Sequence, residues 1–229
     1  MNAIVTAASK GIGRAISIQL AENGYNLAIC ARNEQDLKAL AEQLSYTGKR
    51  IVYFKADLSN KSEAYAFCDF ARHEFDEIDV LVNNAGSFLP AAILDEADEA
   101  FELQLNLNLN AAYYISKRIA KVMRDRRSGH IFNICSAASK EIIKNAGTYS
   151  VTKTAMLCLN NVLRQELAEF NVKVTAILPG ATRTASWDGT DIPAEKFMQP
   201  EDIAIAVYQA LTLGAAANVD EILIKPIHF

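Results

Sequence analysis

Thr6-Ala-Ala-Ser-Lys-Gly-Ile-Gly13 joins an apolar run, residues 3–6, to a helix-periodic run, residues 12–23. Glycines at the mouth of such a strand-to-helix turn let the backbone approach a pyrophosphate, which then meets the positive end of the helix. Two glycines alone describe an ordinary turn. Their place in the first unit of an alternating chain gives them meaning. Further β-rich runs occupy residues 26–31, 51–55, 80–82, 130–135, 172–178 and 221–225. Helical patterns occupy 34–47, 61–75, 95–125, 148–170 and 200–212. Strands alternating with helices in this way imply right-handed βαβ units.

The expected fold is α/β: a Rossmann-type, doubly wound, seven-stranded parallel sheet with helices on both faces. Several strands read as nearly continuous apolar runs, which fits burial on both sides. The 229 residues, 51% apolar, suit one domain over 1–229. Residues 183–199, with Gly189, Pro193 and the only tryptophan, Trp187, are the least regular stretch. They are expected to form a short substrate lid near the carboxyl ends of the strands.

A net charge of −4 argues against nucleic-acid and anionic-membrane partners. No run is long and apolar enough to span a bilayer. The opening, Met1-Asn-Ala-Ile-Val-Thr6, enters a strand without a basic leader, so a cytoplasmic location is expected. Cys30, Cys68, Cys135 and Cys158 are scattered and read as reduced core thiols. His73, His130 and His228 lie far from one another and from any cysteine, so no metal site is expected.

Tyr149 and Lys153 stand four residues apart in Thr148-Tyr-Ser-Val-Thr-Lys153, one turn apart on a single helix face. A phenol needs a neighbouring cation to exchange protons near neutral pH. An ammonium about 4 Å away at an effective dielectric of ~20 supplies roughly 4 kcal/mol. Such a pair can move a proton while another group moves a hydride.

Four motifs in order carry a resemblance. Thr6–Gly13 matches T-G-x-x-x-G-x-G with Ala7 in place of the first glycine; Asn83-Asn-Ala-Gly86 matches N-N-A-G; Tyr149 and Lys153 match Y-x-x-x-K; and Pro179-Gly-Ala-Thr-Arg-Thr184 matches P-G-x-x-x-T. Over nearly its whole length the chain resembles the short-chain dehydrogenase/reductase family, in its compact carbonyl-reductase-like form. The departure matters for geometry, because a left-handed alanine costs roughly 1 kcal/mol or more.

The resemblance implies a nicotinamide cofactor held by Thr6, Ala8, Ser9, Lys10, Gly11, Ile12 and Gly13. It adds Asp57 and Leu58 at the adenine, then Asn83, Ala85 and Gly86. Pro179, Gly180, Thr182 and Thr184 lie at the nicotinamide end, where Lys153 would hold the ribose and Tyr149 also makes contact. Ser136, by its interval before Tyr149, is the implied catalytic serine, with Ser139 as decoy. Tyr149 is the general acid or base, and Lys153 biases it. The family's relay asparagine fits Asn108-Leu-Asn-Ala-Ala-Tyr113 best, with Asn106 as the competing register.

Charge speaks to the cofactor. The second strand ends Cys30-Ala-Arg-Asn33, with no acid to greet a free ribose 2′-hydroxyl and with Arg32 available to a 2′-phosphate. NADP(H) is therefore expected, NAD(H) remaining possible; the alternative has Arg32 merely paired with Glu34 or Asp36.

Phe88, Leu89, Ile142, Ile143, Trp187 and Met198 could wall an open substrate cleft, or could be plain core. The expected substrate is a small carbonyl compound or alcohol. A 3-oxoacyl-carrier-protein reductase is the runner-up, and a catalytically silent NADP(H) sensor or scaffold is the alternative of another class. The resemblance also implies a homodimer or homotetramer built on helices 95–125 and 148–170, whose surplus apolar residues include Met156, Leu159 and Leu163.

Overall fold

The computed structural model describes residues 1–228. Seven strands run in the order β3-β2-β1-β4-β5-β6-β7, every neighbouring pair parallel. They are β1 Asn2–Val5, β2 Asn26–Ala31, β3 Ile51–Lys55, β4 Val80–Asn83, β5 Gly129–Ile134, β6 Val172–Pro179 and β7 Glu221–Ile224. Because all are parallel, every carboxyl end opens on one edge of the sheet. The order reverses between β1 and β4, and that crevice is where ligands of such folds sit.

Seven α-helices cover the sheet: α1 Gly11–Glu22, α2 Glu34–Gln43, α3 Lys61–Glu74, α4 Asp98–Leu105, α5 Ala111–Arg126, α6 Gly147–Leu167 and α7 Pro200–Leu211. Consecutive strand residues feed opposite faces, as a period of two requires. Val5 and Ile29 pack with Ile16 and Leu20 of α1 and Ile203 and Val207 of α7. Their neighbours Ile4 and Ala28 pack with Phe67 of α3 and Ile115 and Ile119 of α5 on the other side. Asn33 caps α2 by accepting from the Gln35 and Asp36 amides, at 2.9 and 3.3 Å, which fixes where the chain leaves β2.

Three helical expectations need correction, the simplest being 148–170, whose α-helix ends at Leu167 before a 3₁₀ turn, Ala168–Phe170. Residues 34–47 end their α-helix at Gln43 and close with a 3₁₀ turn, Leu44–Thr47. Residues 95–125 do not form one α-helix: helix begins at Asp98, and a π turn, Asn106–Asn110, separates α4 from α5. Asparagine is a poor helix former because its side chain competes for local hydrogen bonds. Here Asn110 Nδ2 donates to Asn106 Oδ1 at 2.8 Å, while Asn108 reaches out of the helix altogether.

Three apolar residues of α6 named among its surplus pack at least in part within the chain. Met156 lies in the core with Leu159 packed against its cluster, and Leu163 packs against the separate core under α3 and α5. Met198 is core too, 9% exposed beside α7. No helix among the described residues is long and apolar enough to cross a membrane.

Cys30, Cys68 and Cys135 are buried, but Cys158 on α6 is exposed, against the expectation of four core thiols. Burial pushes all three buried thiols up, Cys68 and Cys135 to about 12. Since the thiolate is the reacting species, a thiol reagent at pH 8 is expected to titrate one cysteine in the native protein and four after denaturation. Two or more fast native thiols would show that the core opens.

Candidate active site

The crevice is fastened by one hydroxyl. Thr6 Oγ1, at the end of β1, donates to Val82 O at 3.3 Å and accepts from the Asn84 and Ala85 amides at 2.8 and 3.0 Å. Asn84 Nδ2 returns the tie, donating to the Thr6 and Ala7 carbonyls at 3.0 and 3.1 Å. Loops after β1 and β4 are thus locked together. Sequence reasoning missed Asn84, although its place inside N-N-A-G was the available signal.

Gly13 has no room for a side chain: a Cβ there would lie 2.4 Å from Asn84 Nδ2 and 2.5 Å from Ala7 O. Gly11 takes φ +53° and would press a Cβ against Thr184 Cγ2 at 3.1 Å, bringing the loop after β6 onto this turn. Ala7 adopts φ +50°, the left-handed conformation that glycine tolerates and alanine resists. Helix α1 starts at Lys10 with no capping side chain and no acid in its first turn. Its first amides are free of side-chain caps and face positive potential outward, which suits an anion.

At the end of β2, Arg32 is exposed and forms no ion pair among the described residues; neither Glu34 nor Asp36 holds it. Lys10 Nζ instead lies 3.3 Å from Asp36 Oδ2. Asp57, beyond β3, accepts from the Ser59 amide and hydroxyl at 3.0 and 2.7 Å, and Leu58 beside it is buried. The Asn83 side chain is committed to the interior, donating to Ser116 Oγ and Asn133 Oδ1, each at 2.8 Å. Gly180 donates to Ile224 O at 2.7 Å, and buried Thr182 donates back to Gly180 O at 3.0 Å.

Further along the edge, β5 delivers Ser136, which is buried and accepts from the Ala138 amide at 3.1 Å. Ser139 donates to Lys153 O at 2.8 Å, a support for α6 rather than a free hydroxyl. Lys153 is 5% exposed, and its ammonium donates to Ile134 O at 2.9 Å. It also faces the Tyr149 ring, 5.8 Å from the centroid. A buried ammonium without a carboxylate is costly, so its company here is a carbonyl and an aromatic face. Asn108 is fully buried: Oδ1 accepts from the Ser87 amide at 2.7 Å, and Nδ2 donates to Ser87 O and Thr152 Oγ1 at 3.0 and 3.1 Å. Thr152 in turn donates to Tyr149 O at 3.0 Å. Asn106 does none of this.

Gly86 is the point where these groups meet. A Cβ built there would lie 3.3 Å from both Asn108 Oδ1 and Lys153 Nζ. Above Tyr149 stands an aromatic wall: Phe88 meets its ring edge-on at 4.9 Å, Trp187 lies 6.0 Å from Phe88, and Phe197 lies 5.1 Å from Trp187. The irregular stretch therefore reaches the tyrosine through Phe88. Its base is pinned by a parallel bridge between Thr182 and Met198. Ile142 and Ile143 are exposed.

Comparison with known proteins agrees in kind. The family described as short chain dehydrogenase matches residues 1–192. An uncharacterized oxidoreductase of Staphylococcus aureus strain USA300 is 34% identical over 225 residues, covering 98% of this chain and 96% of that protein. An alcohol dehydrogenase from the archaeon Thermococcus sibiricus, complexed with 5-hydroxy-NADP, superposes with a TM-score of 0.94 at 28% identity, over 100% of this chain and 97% of its own. L-sorbose reductase from Gluconobacter frateurii, complexed with NADPH and L-sorbose, gives 0.91 at 26% identity over 98% and 95%.

Relief of the left-handed alanine is measurable. Ala7→Gly is expected to stabilise the protein by roughly 0.5–1 kcal/mol, the left-handed penalty less the added entropy of glycine. For a chain of this size the thermal midpoint should rise by roughly 1–4 °C. A lower midpoint would mean that the alanine methyl contributes packing worth more than the strain.

Proposed function

The chain belongs to the short-chain dehydrogenase family, and from that premise we propose an NADP(H)-dependent oxidoreductase acting on a small carbonyl compound or secondary alcohol. The observation that carries the proposal is the meeting of Lys153 Nζ and Asn108 Oδ1 over Gly86, with Tyr149 beside them.

The residues present fit the cofactor. Gly11 and Gly13 leave a turn that no larger residue could make, the uncapped start of α1 offers amides to a pyrophosphate, and Arg32 holds no carboxylate among the described residues. Thr184, packed on Gly11, and Gly180 and Thr182 border the far end. When bound, the nicotinamide supplies a hydride to a carbonyl carbon or accepts one from an alcohol.

The chain's own residues manage the proton. In reduction, Tyr149 gives its hydroxyl proton to the substrate oxygen as charge grows there; in oxidation it takes that proton back. Ser136 donates a hydrogen bond to the same oxygen, stabilising the developing charge. Lys153, fixed by the Ile134 carbonyl, keeps a positive charge at the tyrosine. Asn108 holds the loop at Ser87 against α6 and so keeps Tyr149 in register. The π turn that carries it, Asn106–Asn110, shifts the helical ladder by one residue and so turns Asn108 toward the loop. Phe88 and Trp187 shield the site from bulk water.

The preference for a 2′-phosphate rests on the exposed Arg32 and on the absence of an acid at the end of β2. A homodimer or homotetramer is part of the same reading: the exposed Val151 and Val162 of α6 and Phe101 of α4 offer apolar surface for it.

Two experiments test the reading. With a panel of ketones and aldehydes, the protein is expected to oxidise NADPH faster than NADH, and Tyr149→Phe should cut turnover at least about 100-fold while leaving NADPH affinity within about twofold. Undiminished turnover would remove Tyr149 as the acid, and tight NADPH binding without oxidation of any carbonyl would favour the sensor. Separately, Arg32→Asp should reverse the cofactor preference toward NADH, read as the ratio of kcat/KM values.

A further inference from the structure

Lys10, a cation of the turn after β1, already has a carboxylate partner. Lys10 Nζ lies 3.3 Å from Asp36 Oδ2, with the lysine side chain 70% and the aspartate 31% exposed. The two groups come from different units, Lys10 from the turn after β1 and Asp36 from the first turn of α2 after β2. They meet because β1 and β2 are neighbours whose carboxyl ends are tied by the Ala8 amide donating to Cys30 O at 3.0 Å. Asp36 is held in place from its own side, since its amide bonds the capping Asn33 at 3.3 Å. Arg32, between them in sequence, has no carboxylate partner among the described residues. A dinucleotide with its pyrophosphate at the start of α1 sets its adenylate ribose against the loop after β2. Any 2′-phosphate therefore arrives at the loop that carries Arg32 and leads into Asp36, the partner of Lys10.

We propose that Asp36 sets cofactor discrimination by competing with the 2′-phosphate for Lys10. The proposal rests on the NADP(H) reading above and adds a residue that works against it. Without the phosphate, Asp36 neutralises Lys10 and spares the empty site two adjacent uncompensated cations. With it, Lys10 must leave the carboxylate for the phosphate, and the carboxylate remains as a like charge nearby. Both effects weaken NADP(H) and leave NAD(H) untouched, because a free 2′-hydroxyl neither needs Lys10 nor repels Asp36. Arg32 supplies the preference and Asp36 limits it. The result is an enzyme that discriminates less sharply and releases NADP+ faster than its two cations alone would allow.

The test is a fluorescence titration of NADPH and NADH against the wild type, Asp36→Asn, Lys10→Met and the double variant. Asp36→Asn keeps the size of a half-buried side chain, and its NADH affinity serves as the check on folding. It is expected to bind NADPH about three- to tenfold more tightly, with NADH changed less than twofold and the gain shrinking at high salt. In the Lys10→Met background the same substitution should gain less than half as much, since the competition is for that lysine. Unchanged or weaker NADPH binding in Asp36→Asn would overturn the proposal. So would equal tightening of both cofactors, or an equal gain with and without Lys10. A wild type that binds NADH as well as or better than NADPH would sink the cofactor reading itself, while the Asp36→Asn shift would still report on the competition.

Discussion

The Thr6 hydroxyl holds together the two loops on which the site depends. It sits at the end of β1, beside the point where strand order reverses, and engages the carbonyl of Val82 and the amides of Asn84 and Ala85. A parallel sheet leaves the carboxyl ends of its strands without ladder partners, so something must organise the chain as it leaves them. A buried hydroxyl with one donor and two acceptor sites fills that need completely. With the loops fixed, Asn84 closes over the turn, Gly13 becomes obligatory, and Gly86 arrives under Asn108 and Lys153. Geometry at the chemical end of the crevice is thus inherited from a hydrogen bond at its nucleotide end.

The second constraint is electrostatic. Lys153 is nearly inaccessible, and among the described residues no carboxylate neutralises it. Burying a cation this way is unfavourable for folding alone, and a well-packed apolar side chain would serve stability better. The cost is offset locally by the Ile134 carbonyl and by the Tyr149 ring. What the arrangement gains is a fixed positive potential at one phenol, the sort of stored charge that is typical of sites where protons move.

Much of this was legible in the sequence because the signals were periodic or sharply spaced. All seven strands and the alternation with helices emerge from apolar runs bounded by turns, and the observed ends differ by a residue or two. Ser136, Tyr149 and Lys153 could be picked by interval, and Asn108 over Asn106 by the Ala111-Ala-Tyr113 downstream. The structure brings Asn108 and Lys153 together at Gly86, with the Tyr149 ring facing Lys153, and hangs Ser136 on the neighbouring strand end. Less visible were features that depend on contacts between distant segments. The three asparagines of Leu105-Asn-Leu-Asn-Leu-Asn110 signalled trouble for a helix, yet only Ser87 and Thr152 explain why it widens into a π turn there. Nothing local said whether Ala7 would be left-handed; the Asn84 contact on its carbonyl decides that. Lys10 and Asp36 lie in different units, and Cys158 looks as apolar in context as its three buried counterparts.

The bridge between Thr182 and Met198 has a consequence for how such an enzyme can change its diet. Arg183 N to Met198 O, at 2.8 Å, and Met198 N to Ala181 O, at 3.0 Å, draw the two ends of the intervening segment together like the neck of a purse. Length added within that neck is inexpensive, about 0.6 kcal/mol for each doubling of a flexible loop. Residues can therefore be inserted, deleted or exchanged there without disturbing the strand ends or the helix that carries Tyr149 and Lys153. New specificities can be tried by remodelling the roof while the machinery beneath stays as it is.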